Sequence, residues 1–125
     1  MLTTLEEISL HQLNIKDMKN FDVYCRHLKI LYLQNNLIEE IKGCLKLKEL
    51  EYLNLAVNSI IKIEGLKRCE SLNKLDLTLN FIDVEDLQES CEDLETCENL
   101  MDLYLTGNPC TDWEHCTEYV IAMLP

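Results

Sequence analysis

Four times along the chain the pattern L-x-x-L-x-L-x-x-N returns: LKILYLQNN from Leu28, LEYLNLAVN from Leu50, LNKLDLTLN from Leu72 and LMDLYLTGN from Leu100. The copies start 22, 22 and 28 residues apart, and a weaker copy, LEEISLHQL, opens at Leu5, 23 residues before the second. Self-similarity at a fixed period of this size means stacked coils, each one supersecondary unit that buries its apolar face only against its neighbours.

Each position in the frame has a physical reason. Positions four and six (Leu31/Leu33, Leu53/Leu55, Leu75/Leu77, Leu103/Leu105) alternate with polar or aromatic residues, the period of two that marks a short strand with one buried face. Position nine is Asn36, Asn58, Asn80 and Asn108. A buried amide offers donors and an acceptor to the turns above and below it, so the four predict a structural asparagine ladder. Leu13 stands at that place in the first copy, and the ladder is expected to stop short of it. Beyond the Asn, apolar residues recur every three positions (Ile38, Ile41, Cys44, Leu47; Ile60, Ile63, Leu66, Cys69), which suits a 3₁₀ or tight helical return.

The fold expected is therefore an α/β leucine-rich-repeat solenoid. Its five repeats start near residues 5, 28, 50, 72 and 100, with short parallel strands on the concave face, a 3₁₀ or helical convex side and a C-terminal helical cap. The fourth repeat is six residues longer, and Val84, Leu87, Cys91 and Leu94 fall in it at helical spacing behind Asp83 and Asp86. This predicts a convex-side helix with its acidic face in water. For the cap, over 109–125, Thr111 and Glu114 form a T-x-x-E capping box, followed by an apolar stripe of Trp113, Cys116, Val120, Ile121 and Leu124. Residues 1–125 read as a single domain. With only Met1 to Thr4 before the first repeat and no strand after Leu124-Pro125, a fragment of a longer protein is expected.

Composition narrows the function. The net charge is −12, and an acidic chain repels phosphate, so nucleic acid is not an expected partner. Eight acids and no Lys or Arg lie between Asp83 and Glu98; that segment reads either as a solvated helix face or as a docking patch for a basic segment. No apolar run nears the roughly 18 residues of a membrane span, and MLTTLEEISL lacks the basic start of a signal peptide. The seven cysteines are odd in number and contain no C-x-x-C. Cys25, Cys69 and Cys97 each lie three residues before a repeat's first Leu, and Cys44 and Cys91 occupy neighbouring core positions, so they read as small reduced core residues of a cytosolic protein. A redox or metal role for them is the alternative. His11, His27 and His115 are far apart in the frame, and His115 with Cys116 and Cys110 lacks a further ligand at usable spacing. No nucleophile elbow, phosphate loop or H-E-x-x-H occurs. No catalysis, cofactor, metal or small-molecule substrate is expected.

Positions three, five and seven point out of the concave sheet: Glu7/Ser9/His11, Ile30/Tyr32/Gln34, Tyr52/Asn54/Ala56, Lys74/Asp76/Thr78 and Asp102/Tyr104/Thr106. Three of the chain's five tyrosines fall in these columns, and tyrosine combines large contact area, few rotors and a polar tip. The expected partner-binding residues are Ile30, Tyr32, Tyr52, Asn54, Lys74, Asp76, Asp102 and Tyr104, with the two aspartates beside Lys74 setting orientation by charge.

Beyond the generic repeat, the 22-residue frame with Ile at positions eleven and fourteen resembles the SDS22-like class. The segments SLHQ (9–12), LKILYLQNNLI (28–38), LEYLNLA (50–56), KLDLT-x-NFI (74–82) and GNPC (107–110), in this order, resemble the N-terminal repeat domain of the leucine-rich-repeat dynein axonemal assembly factor family, known as TilB or seahorse. The resemblance covers about Leu5 to Pro125. It implies a cytoplasmic factor, associated with the cilium or flagellum, that helps preassemble dynein arms with other assembly factors, chaperone components or dynein subunits. It also implies a coiled coil and a CS/p23-like domain after the repeats, which this sequence does not contain. The alternative is a regulatory subunit that binds a protein phosphatase, as SDS22 itself does.

Overall fold

The computed structural model describes residues 4–124. Five three-residue strands, β1 (Glu7–Ser9), β2 (Ile30–Tyr32), β3 (Tyr52–Asn54), β4 (Lys74–Asp76) and β5 (Asp102–Tyr104), form one parallel sheet in sequence order. The register follows the repeat frame residue for residue: Ile8, Leu31, Leu53, Leu75 and Leu103 pair in turn. Three residues suffice because the ladder continues past each strand, as when the Leu33 N–H donates to Asn54 O and the Leu55 N–H to Asp76 O, at 2.9 and 2.8 Å.

Inward from the sheet, Leu31, Leu33, Leu53, Leu55, Leu75 and Leu77 are completely buried, and Leu28, Ile38, Leu47, Leu50, Ile60, Leu66 and Leu72 join them in one continuous core. Each such side chain stabilises the fold by about 1.5–3 kcal/mol against an opposing chain entropy. Core coverage falls off at the ends. Ile8 and Leu10 in the first coil and Leu103 in the fifth are only partly buried, since each has a neighbouring coil on one side alone.

The asparagine ladder is present. The Asn58 amide donates to its own coil at Leu55 O and to the coil before at Leu33 O, both at 3.0 Å, while its Oδ1 accepts the Ile38 N–H at 3.0 Å. Asn80 and Asn108 repeat this arrangement one coil further on. Leu33 O, Leu55 O and Leu77 O thus each accept from two successive ladder amides. Asn36 ends the series, its Oδ1 accepting from Leu13 and Ile15, and Leu13 itself is exposed. The ladder stops where the missing amide predicts.

The convex side varies. The first coil returns through α1 (Phe21–Tyr24) and the fourth through a 3₁₀ turn over Val84–Asp86 leading into α2 (Leu87–Leu94). In the second and third coils the three-residue apolar step is realised as separate turns, in which Leu47 N–H donates to Cys44 O and Cys69 N–H to Leu66 O, without a continuous helix. The space for helix is limited there by close coil contact. Gly65 has φ +73°, and a Cβ on it would meet Ile41 O at 2.8 Å.

Three details depart from the sequence expectations. Val84 lies outside the α2 stripe and is exposed, because the 3₁₀ turn ahead of α2 rotates it away from Leu87, Cys91 and Leu94. Asp93 is buried, unlike the rest of the acidic face. Its carboxylate accepts the Leu66 N–H at 3.0 Å, and Ser90 Oγ accepts the Ile63 N–H at 2.9 Å. Where a regular coil would stack backbone on backbone, these two helix side chains satisfy the third coil's amides. At the C-terminus no capping box forms: Thr111 sits within a 3₁₀ turn over Pro109–Asp112, its hydroxyl donates to Asn108 O at 2.7 Å, and α3 (Cys116–Met123) starts only after His115. The proline fixes the tight turn first, which displaces the helix start by several residues. Trp113, Val120 and Leu124 pack on the core and Cys116 is buried, but Ile121 faces outward. Of the expected cap, Pro125 lies outside the described residues, as do Met1–Thr3 of the segment ahead of the first repeat.

Candidate functional site on the concave face

The strand register sets two outward columns across the sheet. One is Glu7, Ile30, Tyr52, Lys74 and Asp102; the other is Ser9, Tyr32, Asn54, Asp76 and Tyr104. Neighbours in a column stand about 4.8 Å apart, the interstrand spacing. All eight residues expected to bind a partner are therefore on one curved wall. Each middle strand buries only its central leucine and leaves its two flanking residues partly in solvent.

These side chains are organised among themselves. Tyr32 and Tyr52 meet edge to face with ring centroids 5.5 Å apart. Lys74 Nζ lies 4.8 Å from the Tyr52 centroid and 5.5 Å from that of Tyr104, near enough for a cation–π attraction. Burial raises the Tyr52 hydroxyl's pKa despite the nearby Lys74 charge, so the phenol stays neutral and able to donate. The Asn54 amide donates to the Tyr52 hydroxyl at 3.1 Å. The result is a half-buried aromatic band, Tyr32–Tyr52–Lys74–Tyr104, running diagonally over four coils.

Asp76, beside Lys74, is held within its own loop. Lys74 forms no ion pair among the described residues; its ammonium is taken by the rings. Asp76 Oδ1 accepts the Thr78 N–H at 3.0 Å and the Thr78 hydroxyl at 2.6 Å, fixing the turn that leaves β4. Asn54 Oδ1 does the same for Ala56 N–H. Each of these residues thus shapes its own loop with one oxygen, and Asn54 also braces the Tyr52 hydroxyl with its amide.

Beside Tyr52 the strand entries leave an open depression of about 430 Å³ lined by Ile30, Glu51, Ser71, Asn73, Lys74 and Asn99. Ser71, Asn73 and Asn99 were not singled out by sequence, since they sit at position two or just before the repeat's first leucine, outside the alternating columns. Their only signal is that these strand-entry positions are polar in nearly every repeat, with Glu51, Ser71, Asn73 and Asn99 among them. Asn73 and Asn99 are tied across coils, each amide donating to a carbonyl of the other's loop region, Asn99 O and Glu70 O.

All seven cysteines are buried with free thiols. Burial pushes Cys69 and Cys110 up to about 12 and Cys91 and Cys97 up to about 11, the reverse of the lowered pKa that makes a thiol reactive. Among the described residues no group of three or more His, Cys, Asp or Glu is arranged to hold a metal ion, and no helix is long and apolar enough to cross a membrane.

A parallel sheet of leucine-lined coils, an asparagine ladder and an open concave wall define a leucine-rich-repeat scaffold. Solved structures of that class superpose on it. A chain of the Drosophila melanogaster SNF/U2A' complex matches with a TM-score of 0.83 and 25% identity, over 95% of this chain and 68% of that one. A Listeria monocytogenes internalin, InlF, matches with a TM-score of 0.71 and 28% identity, over 85% and 30%. No protein-family model matches the chain. In sequence the chain is similar throughout its length to the protein known as dynein axonemal assembly factor 11, or TilB. Identity is 58% over 125 residues to the human protein and 55% over 126 residues to Drosophila melanogaster tilB, covering all of this chain in both cases. It is 49% over 125 residues to the Trypanosoma brucei brucei protein, covering 99% of this chain. The chain spans 26% of the human relative's length and 31% and 32% of the other two.

Proposed function

We propose that this chain is a non-catalytic, protein-binding scaffold acting in the cytoplasmic preassembly of axonemal dynein arms for motile cilia and flagella. One observation carries the reading: 58% identity across the whole repeat unit to a protein named dynein axonemal assembly factor 11. The geometry supports the general mode of action. A rigid wall of five strands holds Tyr32, Tyr52 and Tyr104 in fixed, partly desolvated positions, and preorganised aromatic side chains lose little entropy on binding.

In this reading residues 1–125 act as one domain. Tyr52, Tyr104 and Ile30 supply contact area, Lys74 and Asp102 supply charge at the middle and end of the first column, and Asn54, Asp76 and Tyr32 present polar atoms in the second. The partner is a protein: another assembly factor, a chaperone component or a dynein subunit. Affinity capture from flagellated cells tests this. Recovery of dynein subunits or their assembly partners by the wild-type chain, lost with Tyr52→Ala plus Tyr104→Ala, is the expected result. Recovery of a protein phosphatase in their place contradicts the reading and favours an SDS22-like regulatory subunit.

A further inference from the structure

Position eight of every coil has the same left-handed backbone: Gln12, Asn35, Val57, Leu79 and Gly107 all have φ between +55° and +80°. The bend from each strand into position nine adopts it in all five, including the first, where Leu13 replaces the ladder asparagine. Asn and Gly adopt this conformation readily, whereas it is costly for other side chains and most costly for a β-branched one. The second and fifth coils use the inexpensive residues, so the fold accommodates them. The third and fourth carry Val57 at φ +55° and Leu79 at φ +56°, with both side chains exposed.

They are not isolated. Positions ten and twelve alternate outward on the same lateral edge, and together with position eight they place Leu37, Val57, Ile61, Leu79 and Phe81 around Ser59. Each of the five is between 44% and 58% exposed. Leu79 partly covers Gly107, where a Cβ would come within 2.5 Å of its Cδ2. A contiguous apolar patch on the order of a few hundred Å² is about the size of the largest patch on a typical monomer, and such a patch is often functional. Backbone strain retained to display it points the same way.

From this edge we infer a second docking surface, distinct from the concave wall, that takes a basic amphipathic α-helix. Three features select that occupant. An incoming strand has no backbone donor to pair with, because the N–H groups of Val57, Ser59, Leu79 and Phe81 already donate to Thr78 O, Ile38 O, Thr106 O and Ile60 O at 2.8 Å. Recognition must therefore go through side chains. The patch crosses three coils, about 10 Å at the interstrand spacing, which matches the reach of apolar residues at i, i+4 and i+7 on a helix rising about 1.5 Å per residue. Its rim is net acidic: Glu39 and Asp83 flank Ile61 at position twelve, exposed Glu85 follows, and Lys62, next to Ile61, is paired with Glu64 and Glu89 at 4.0 and 3.5 Å, in a chain of net charge −12. A helix with a leucine stripe and lysine flanks is complementary to both parts.

The test titrates the chain with an 18-residue helical Leu/Lys peptide and with a control in which Ser replaces every Leu, following the methyl resonances of Leu37 and Ile61, which the variants retain. The Leu/Lys peptide is expected to bind saturably and the control to bind at least about tenfold more weakly. The double variant Val57→Asn with Leu79→Asn is expected to raise the melting temperature by about 3–6 °C, since Asn suits the backbone there, and to weaken peptide binding at least about tenfold. Tyr52→Ala on the concave wall leaves it unchanged. Equal binding of the Ser/Lys control, undiminished binding by the double variant, or a lowered melting temperature overturns the inference. So does a concentration-dependent dimer that the double variant abolishes, which assigns the edge to a second copy.

Discussion

The ammonium of Lys74 lies 4.8 Å from the Tyr52 ring centre and 5.5 Å from that of Tyr104, so one cation in the fourth coil joins aromatic side chains of the third and fifth. An exposed cation–π contact is worth about 0.5–1 kcal/mol, too little to hold the fold but enough to orient two rings. Lys74→Ala is expected to change stability by less than about 1 kcal/mol while weakening partner binding severalfold. Denaturant unfolding beside a binding titration checks the split.

The ladder responds in the opposite way. Removing the Asn58 amide leaves the Ile38 N–H without its acceptor, whereas Leu33 O and Leu55 O keep the amides of Asn36 and Asn80. One orphaned buried donor costs about 1–3 kcal/mol, and each further lost bond about 1. With the bonds to Leu33 O and Leu55 O both lost, Asn58→Ala is expected to destabilise by roughly 3–5 kcal/mol, read as a lower denaturation midpoint at unchanged slope.

Asp93 makes stability depend on pH. Burial raises its pKa against the opposing Leu66 N–H and Lys67 charge. An acid with a raised folded pKa holds its proton better folded than unfolded, so its contribution worsens as pH rises from the ordinary carboxylate range through the folded value. Asp93→Asn keeps an acceptor for Leu66 without ionising. Its stability relative to wild type is expected to be most favourable at neutral pH and to decline as pH falls through the Asp93 titration. Melting curves from pH 3 to 8 for both proteins test this; a difference independent of pH contradicts it.

The thiols are expected to be silent in the native state. With all seven buried and Cys69, Cys91, Cys97 and Cys110 pushed to about 11 or 12, little thiolate exists at pH 8 to attack a disulfide reagent. Titration with such a reagent is expected to proceed only at the rate of unfolding. Several fast thiols contradict core burial.

Much of this molecule was legible in the repeat frame because each inward leucine and each ladder asparagine answers to a period. Strand positions, register, the two outward columns, the buried cysteines and α2 all follow from it. What was not legible depends on three-dimensional accidents outside the period. Asp93 looks like one more surface acid until the longer fourth coil places it against Leu66. Thr111 and Glu114 spell a cap, but the Pro109 turn takes the threonine first. Asp76 reads as a free concave charge, yet one of its oxygens is taken by Thr78, and Lys74 lies over the rings. The left-handed backbone at Val57 and Leu79 is marked only indirectly, by Asn35 and Gly107 at the same place in other coils, since neither Val nor Leu favours it.

The central claim is that the concave tyrosines bind a partner without supporting the fold. The most direct test measures melting and capture from flagellated cells side by side for wild type and Tyr52→Ala/Tyr104→Ala. An unchanged melting temperature with loss of the captured dynein-assembly proteins is the predicted result. A collapse of the fold, or full capture by the variant, contradicts it.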